Sequence, residues 1–335
     1  MTMFRKIVSF VLTTFVCVQI ADAKEPILKF NEEGKFKIAQ FTDLHLCLGK
    51  SEHCDAQFVK TMARLSRIAN QEKPDLLMFT GDQVTGGEAR RSWDSLLDSL
   101  DKFQIPFCIV FGNHDPERLP RAEMSARIVK SPYCLNKLNE AGELADIEIE
   151  VLASQSDNPA FLLYCLDSHD YSTVKHVKGY GWFTPEQVEW LRESCQKRTA
   201  ANNGVPMNSM AFFHICLPEY VSAWDNPKKN SVGRAAEDEC PGALNSGMFA
   251  AMVETGSVMG VFVGHDHDID YVVAEKGIAL GYGRFSGDDT TYNNFRPGSR
   301  LIVVEEGKRA FSSWIREDDG RVVHRMKFND GSIKK

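Results

Sequence analysis

The chain has 335 residues, 43% of them hydrophobic and 25% charged. That is ordinary globular usage with ample material for a buried core, and it excludes disordered, collagen-like and coiled-coil architectures. A formal net charge of -7, with no basic block, excludes a protein that coats nucleic acid; any dealing with phosphate has to come from a local site.

At the N-terminus, Arg5 and Lys6 precede an apolar run from Ile7 to Ile20, and Ala21-Asp22-Ala23 follows. A basic head, an apolar stretch of this length and an A-x-A site describe a cleavable signal peptide over residues 1–23, cut after Ala23. The run falls short of the ~20 apolar residues of a comfortable membrane span, so no stable membrane insertion is expected after cleavage. The expectation is a secreted or periplasmic protein whose residues 24–335 form a single domain. Cys17 follows Val16 rather than a small residue, which disfavours a lipid-anchored cysteine. Export permits disulfides among the remaining cysteines, and sequence does not choose their pairing. Cys108 and Cys165 lie inside apolar runs and read as buried free thiols. No CxxC is present, so a thiolate zinc site is not indicated.

Short apolar runs then alternate with helical patterns, without repeats or a linker. Strands are predicted over Phe36–Phe41, Leu76–Thr80, Phe107–Phe111, Phe161–Leu166, Met210–Phe213 and Val258–Val263. Helices are predicted over Asp55–Gln71, Glu88–Phe103, Thr184–Arg198 and Ser246–Glu254. The third of these starts with a capping signature, Thr184-Pro185-Glu186-Gln187. Toward the C-terminus the pattern turns to strands over Tyr271–Ala274, Ile278–Tyr282, Leu301–Glu305, Ala310–Arg316 and Val322–Phe328, joined by glycine-bearing turns. This order predicts α/β layers around two packed sheets.

Five of these strands run into metal-ligand residue types. They lead into Asp43-Leu44-His45, Gly81-Asp82, Gly112-Asn113-His114-Asp115, His214 and Gly264-His265-Asp266-His267. Ligands bind at the carboxyl ends of strands in open α/β sheets. Residues two apart on extended backbone face one side, so Asp43 with His45, and His265 with His267, can each address a shared cavity. The glycines at 81, 112 and 264 fit turns where backbone comes close to a ligand. Imidazole, carboxylate and amide oxygen without thiolate suit Zn, Fe or Mn. Asp43, His45, Asp82, Asn113, His214, His265 and His267 are too many ligands for one ion and argue for two. His53, His169, His176 and His324 lack such a setting and read as ordinary surface or loop histidines.

In this order the motifs resemble the calcineurin-like metallophosphoesterase superfamily, over about residues 36 to 285. Leu166-Asp167-Ser168, Gly181-Trp182-Phe183 with Gln187 and Trp190, Leu217-Pro218-Glu219-Tyr220 and Asn245-Ser246-Gly247 are similar to its small, single-domain purple acid phosphatase-like branch. The resemblance implies a four-layer αββα fold of two mixed sheets flanked by helices, with two divalent or trivalent transition-metal ions at the strand ends. It implies Asp43, His45, Asp82 and His267 around the first ion, and Asn113, His214 and His265 around the second, with Asp82 bridging. His114 would approach the phosphate and leaving group, oriented by Asp115.

Two ions ~3.5–4 Å apart supply a hydroxide near neutral pH and clamp phosphoryl oxygens, which implies hydrolysis of a small phosphorylated substrate by direct attack. Phosphomonoesters are the leading expectation. A phosphodiesterase on nucleotides or lipid head groups and a non-catalytic metal-binding scaffold are the alternatives. Thr85 stands where purple enzymes carry a tyrosine, so a purple iron(III) centre is not expected; Ile269 stands where the branch carries an asparagine, a departure in the contacts around the ligands. Arg284, Arg118, Glu219 and Asn245 are candidate substrate contacts by motif position, with an exposed turn the favoured setting for Arg284.

Overall fold

The first long strand already contains the logic of the layers. Phe36 and Ile38 project to one side of it and Ala39 and Phe41 to the other, and all four are buried. A strand apolar on both faces needs a partner layer on each. The computed structural model describes residues 26–288 and 294–335. The expected signal peptide lies outside the described residues, among which no helix is long and apolar enough to cross a membrane.

In chain order the first elements are β1 (Leu28–Lys29), β2 (Lys35–Phe41), α1 (Glu52–Glu72), β3 (Leu76–Thr80), α2 (Ala89–Phe103), β4 (Phe107–Val110) and α3 (Arg121–Ile128). There follow β5 (Ile147–Leu152), β6 (Pro159–Cys165), α4 (Pro185–Ala201), β7 (Ser209–Phe212), α5 (Glu219–Asp225), β8 (Asn230–Val232) and α6 (Met248–Thr255). The last are β9 (Val258–Val263), β10 (Val272–Glu275), β11 (Ile278–Tyr282), β12 (Gly298–Glu305), β13 (Ala310–Glu317), β14 (Val322–Asn329) and β15 (Ser332–Lys334).

Two mixed sheets result. One has the order β1-β5-β6-β7-β9-β11-β10-β8, with β6, β7, β9 and β11 parallel; the other has the order β15-β14-β13-β12-β2-β3-β4, with β2, β3 and β4 parallel. Met78, Cys108, Phe161, Met210, Phe212 and Phe262 fill the space between them. Helices α1, α2 and α3 cover the outer face of the second sheet through Leu65, Ile68, Trp93, Leu96 and Met124. Helices α4, α5 and α6 cover the first through Leu191, Tyr220, Phe249 and Met252. The expected four-layer αββα architecture is the observed one.

Helix α4 starts on the expected capping box. Thr184 Oγ1 accepts from Gln187 N at 3.3 Å, and Gln187 Oε1 accepts from Thr184 N at 2.9 Å. Cys108 and Cys165 are buried free thiols, while Cys47 and Cys54 form a disulfide with Cα atoms 5.4 Å apart. Elements absent from the sequence reading include the short helices α3 and α5 and the six-residue strand β5.

Candidate metal centre

The carboxyl ends of β2, β3 and β4 belong to one sheet and those of β7 and β9 to the other, and the five loops meet where the two sheets meet. Backbone bonds knit neighbouring loops, with Asp43 N donating to Gly81 O at 3.0 Å and His45 N to Asp82 O at 3.0 Å. Across the sheets, Gln40 Nε2 donates to Val263 O at 3.0 Å, and His214 Nδ1 lies 2.8 Å from Thr80 O. That second contact fixes the imidazole so that Nε2 faces inward.

Two clusters of donor atoms result, Asp43 with His45 and His267, and Asp82 with His214 and His265, each spanning no more than 4.8 Å. Asp82 Oδ2 joins them, lying 3.2 Å from His214 Nε2 and 3.7 Å from His45 Nε2. Asp43 Oδ1 lies 3.7 Å from His45 Nε2 and 3.5 Å from His267 Nε2. Asp43 Oδ1, His45 Nε2, Asn113 Oδ1, His214 Nε2 and His265 Nε2 are all buried without a hydrogen-bond partner among the described residues. Burying so many polar atoms unsatisfied is costly, and cations between them would offset that cost. The outward-facing atoms of the same side chains are held. Asp43 Oδ2 accepts from Thr42 Oγ1 at 2.6 Å and from His265 N at 3.1 Å, and Asp82 Oδ1 accepts from His114 N at 2.8 Å. Such outer bonds orient metal ligands.

Electrostatics agree with this donor set. Burial alone would raise the carboxyl groups of Asp43 and Asp82, yet the surrounding histidines hold both below the usual carboxylate range. Burial works against a charge on His214, but Asp82 and Asp43 lift it to about 10; burial and the neighbouring His214 push His265 down to about 3. Two buried carboxylates draw positive charge into the cavity. Carboxylate, imidazole and amide oxygen, with no thiolate in either cluster, fit borderline first-row ions.

The local backbone explains the glycines. A Cβ on Gly81 would meet the His214 ring at 2.2 Å, one on Gly112 would meet Asp82 Oδ1 at 2.2 Å, and one on Gly264 would meet Thr42 Oγ1 at 1.9 Å. Asp43, His45, Asp82 and His265 themselves hold positive φ of 53°, 49°, 55° and 77°. Strained non-glycine backbone of this kind is tolerated where its surroundings over-determine it.

The structure corrects two sequence expectations. Asp115 does not orient His114. Its buried carboxylate accepts from the backbone N–H groups of Asp82, Gln83, Val84 and Gly112 at 2.8–3.0 Å, and burial beside Asp82 pushes it up to about 7. The partner of His114 is Glu117, with Nδ1 to Oε1 2.7 Å, at the partly open mouth of the site. Nor is Arg284 an exposed turn residue. It is fully buried, ion-paired to Asp270 and Glu317, and bonded to Arg296 O. A guanidinium enclosed this way is structural.

Glu219 and Asn245 bond each other at 2.6 Å, Arg118 is exposed just after the turn that carries His114, and Ile269 is core. His169 bonds Gln187 at 2.8 Å, and His324 lies in β14, 3.4 Å from buried Asp270. The sequence reading missed Thr42, Glu117 and a pair of tyrosines beside the clusters. The Asn113 amide donates from Nδ2 to Tyr171 Oη at 3.2 Å, and Tyr180 stands edge-on to His265 with ring centroids 4.3 Å apart.

The family model for calcineurin-like phosphoesterases matches residues 36–268. The chain is 32% identical to "Probable inactive purple acid phosphatase 29" of Arabidopsis thaliana, covering 88% of this chain and 83% of that relative. It is 32% identical to "Phosphatase DCR2" of Saccharomyces cerevisiae, covering 78% of this chain and 49% of that one. A dimetal phosphatase from Danio rerio shares the fold at a TM-score of 0.58 and 13% identity, over 88% of this chain and 99% of that one. The chain thus belongs to the calcineurin-like phosphoesterase family.

Proposed function

We propose that this chain is a dimetal phosphoesterase that hydrolyses phosphomonoesters. The observation that carries the reading is Asp82 Oδ2, within 3.7 Å of donors from both clusters, which makes one continuous centre of two triads. Asp43, His45, Asp82 and His267 would hold one ion and Asp82, Asn113, His214 and His265 the other. Bound there, two such ions lower the pKa of water to about neutrality and clamp phosphoryl oxygens.

The protein's own part is positioning and proton handling. Thr42 and the backbone N–H of His265 aim Asp43, Thr80 O aims His214, and the Asp115 carboxylate clamps the turn that carries Asp82. His114, at the mouth, protonates the leaving oxygen, with Glu117 on its other nitrogen setting the tautomer. The substrate is a small phosphorylated molecule, drawn to a local positive site in an acidic chain.

The signal peptide and a secreted or periplasmic location belong to the same reading. A Cys47–Cys54 disulfide, of the sort oxidising compartments permit, supports them. A single domain over 24–335 is supported by sheets that draw strands from Leu28 through Lys334.

A second reading, a metal-binding scaffold without turnover, is favoured by the word "inactive" in the Arabidopsis relative's name. The test is to assay a monoester and a diester of one aromatic alcohol on metal-loaded protein, with His114→Ala alongside. Monoester turnover that exceeds diester turnover, and that His114→Ala cuts by about 100-fold with metal content intact, is expected. Bound metal with neither ester hydrolysed sinks the enzymatic reading in favour of the scaffold, and diester preference sinks the monoesterase.

A further inference from the structure

Beside the second cluster stands a small hairpin that the proposed chemistry does not use. Tyr171 and Tyr180 form its antiparallel bridge, and Ser172 N donates to Gly179 O at 2.9 Å. Its base is fixed on both sides. Arg121 ion-pairs with Asp170 and with Asp167, and Ala243 N donates to Tyr180 O at 3.1 Å. Tyr180 packs edge-on to His265, and Tyr171 stacks on Tyr180 with centroids 5.6 Å apart and planes at 24°. The hydroxyl of Tyr171 is held by the Asn113 amide, yet the residue remains 50% exposed.

One end of this ring therefore touches a candidate metal ligand, one face is backed by a second ring, and the rest meets water. A large ring held rigid and left open is a recognition surface that has already lost the rotamer freedom binding would cost. Offset stacking of aromatic rings adds attraction beyond the area buried. We propose that Tyr171, backed by Tyr180, is the leaving-group subsite, and that it selects phosphate esters whose ester oxygen carries a planar aromatic ring. The substrate ring stacks on Tyr171 while the phosphoryl group faces Asp82, Asn113, His214 and His265. This rests on the phosphoesterase reading of the centre and adds the class of alcohol it releases.

The test is calorimetric titration of metal-loaded protein with phenylphosphonate and cyclohexylphosphonate, analogues of similar size of which one is planar. Wild type should bind the phenyl compound about 3- to 10-fold more tightly. Tyr171→Leu should lose that ratio, and Tyr171→Phe, which keeps the ring and drops the hydroxyl, should retain it. Equal affinities in wild type, or a ratio that survives Tyr171→Leu, would overturn the subsite; a surviving ratio with both analogues weakened by one factor means that Tyr171 acts only through Asn113. Titration needs no turnover. Phenyl preference without ester hydrolysis therefore defeats the enzymatic reading alone, and hydrolysis without preference defeats the subsite alone.

Discussion

Gly264 stands where a methyl group would meet Thr42 Oγ1 at 1.9 Å and Asp43 Oδ2 at 2.8 Å. Neither neighbour can retreat without moving a donor of the first cluster, because Thr42 Oγ1 is also bonded to Thr80 O at 2.9 Å. Gly264→Ala should therefore cost about one metal ion per chain, read by elemental analysis, and about 1–3 kcal/mol of stability. Full metal content in that variant would mean the clash relaxes elsewhere. Glu117 acts without supporting a metal donor. It touches His114 and none of the clustered donors, so Glu117→Gln should lower turnover about tenfold while metal content holds. A variant that loses metal instead would make Glu117 a structural prop. The two residues lie on either side of what sequence can reveal. The three glycines could be picked out because they precede ligand types at strand ends. Glu117 could not, since its approach to His114 depends on the short turn at Asp115–Glu117.

Helix α4 shows how one start signal links an element to the site's outer wall. Gln187, the last residue of its capping box, also donates from Nε2 to Asp146 Oδ2 at 2.8 Å and to Asp167 O at 2.8 Å. Burial raises the Asp146 carboxyl above its ordinary value, and the bonds from Asp167 N and Gln187 only partly offset this. A folded pKa above the unfolded value of about 4 means that the folded state holds the extra proton. The contribution is complete below pH 4 and is lost as pH rises through the raised value. Urea unfolding across pH 4 to 7 should show wild type losing stability relative to Asp146→Asn as pH rises; a difference flat with pH would show that Asp146 titrates normally.

Element type was legible wherever apolar periodicity ran long, and β3, β9 and β11 end where their patterns do. Strand β5 alternates Ile-Glu-Ile-Glu in plain view and was still missed, whereas α3 and α5 are too short for periodicity to speak. Arg284 misled because its counter-charges, Asp270 and Glu317, come from separate strands and loops that only the fold brings together.

For the whole molecule, the centre is a junction between sheets. The donors on the β2, β3 and β4 loops come from one sheet and those on the β7 and β9 loops from the other, so bound cations would fasten the two layers together. Against the chain's net charge of -7, the two buried clusters stand out as local sites that call for positive charge. Ligands that bind only the folded state stabilise it by mass action, so chelation should lower the melting temperature and re-addition of metal should restore it. One carboxylate, that of Asp82, would join two metal sites into one centre. The most direct test of this joining is elemental analysis of wild type and Asp82→Ala purified side by side. About two ions per wild-type chain and one or none in the variant are expected. A metal-free wild type, or a variant that keeps both ions with full activity, would contradict it.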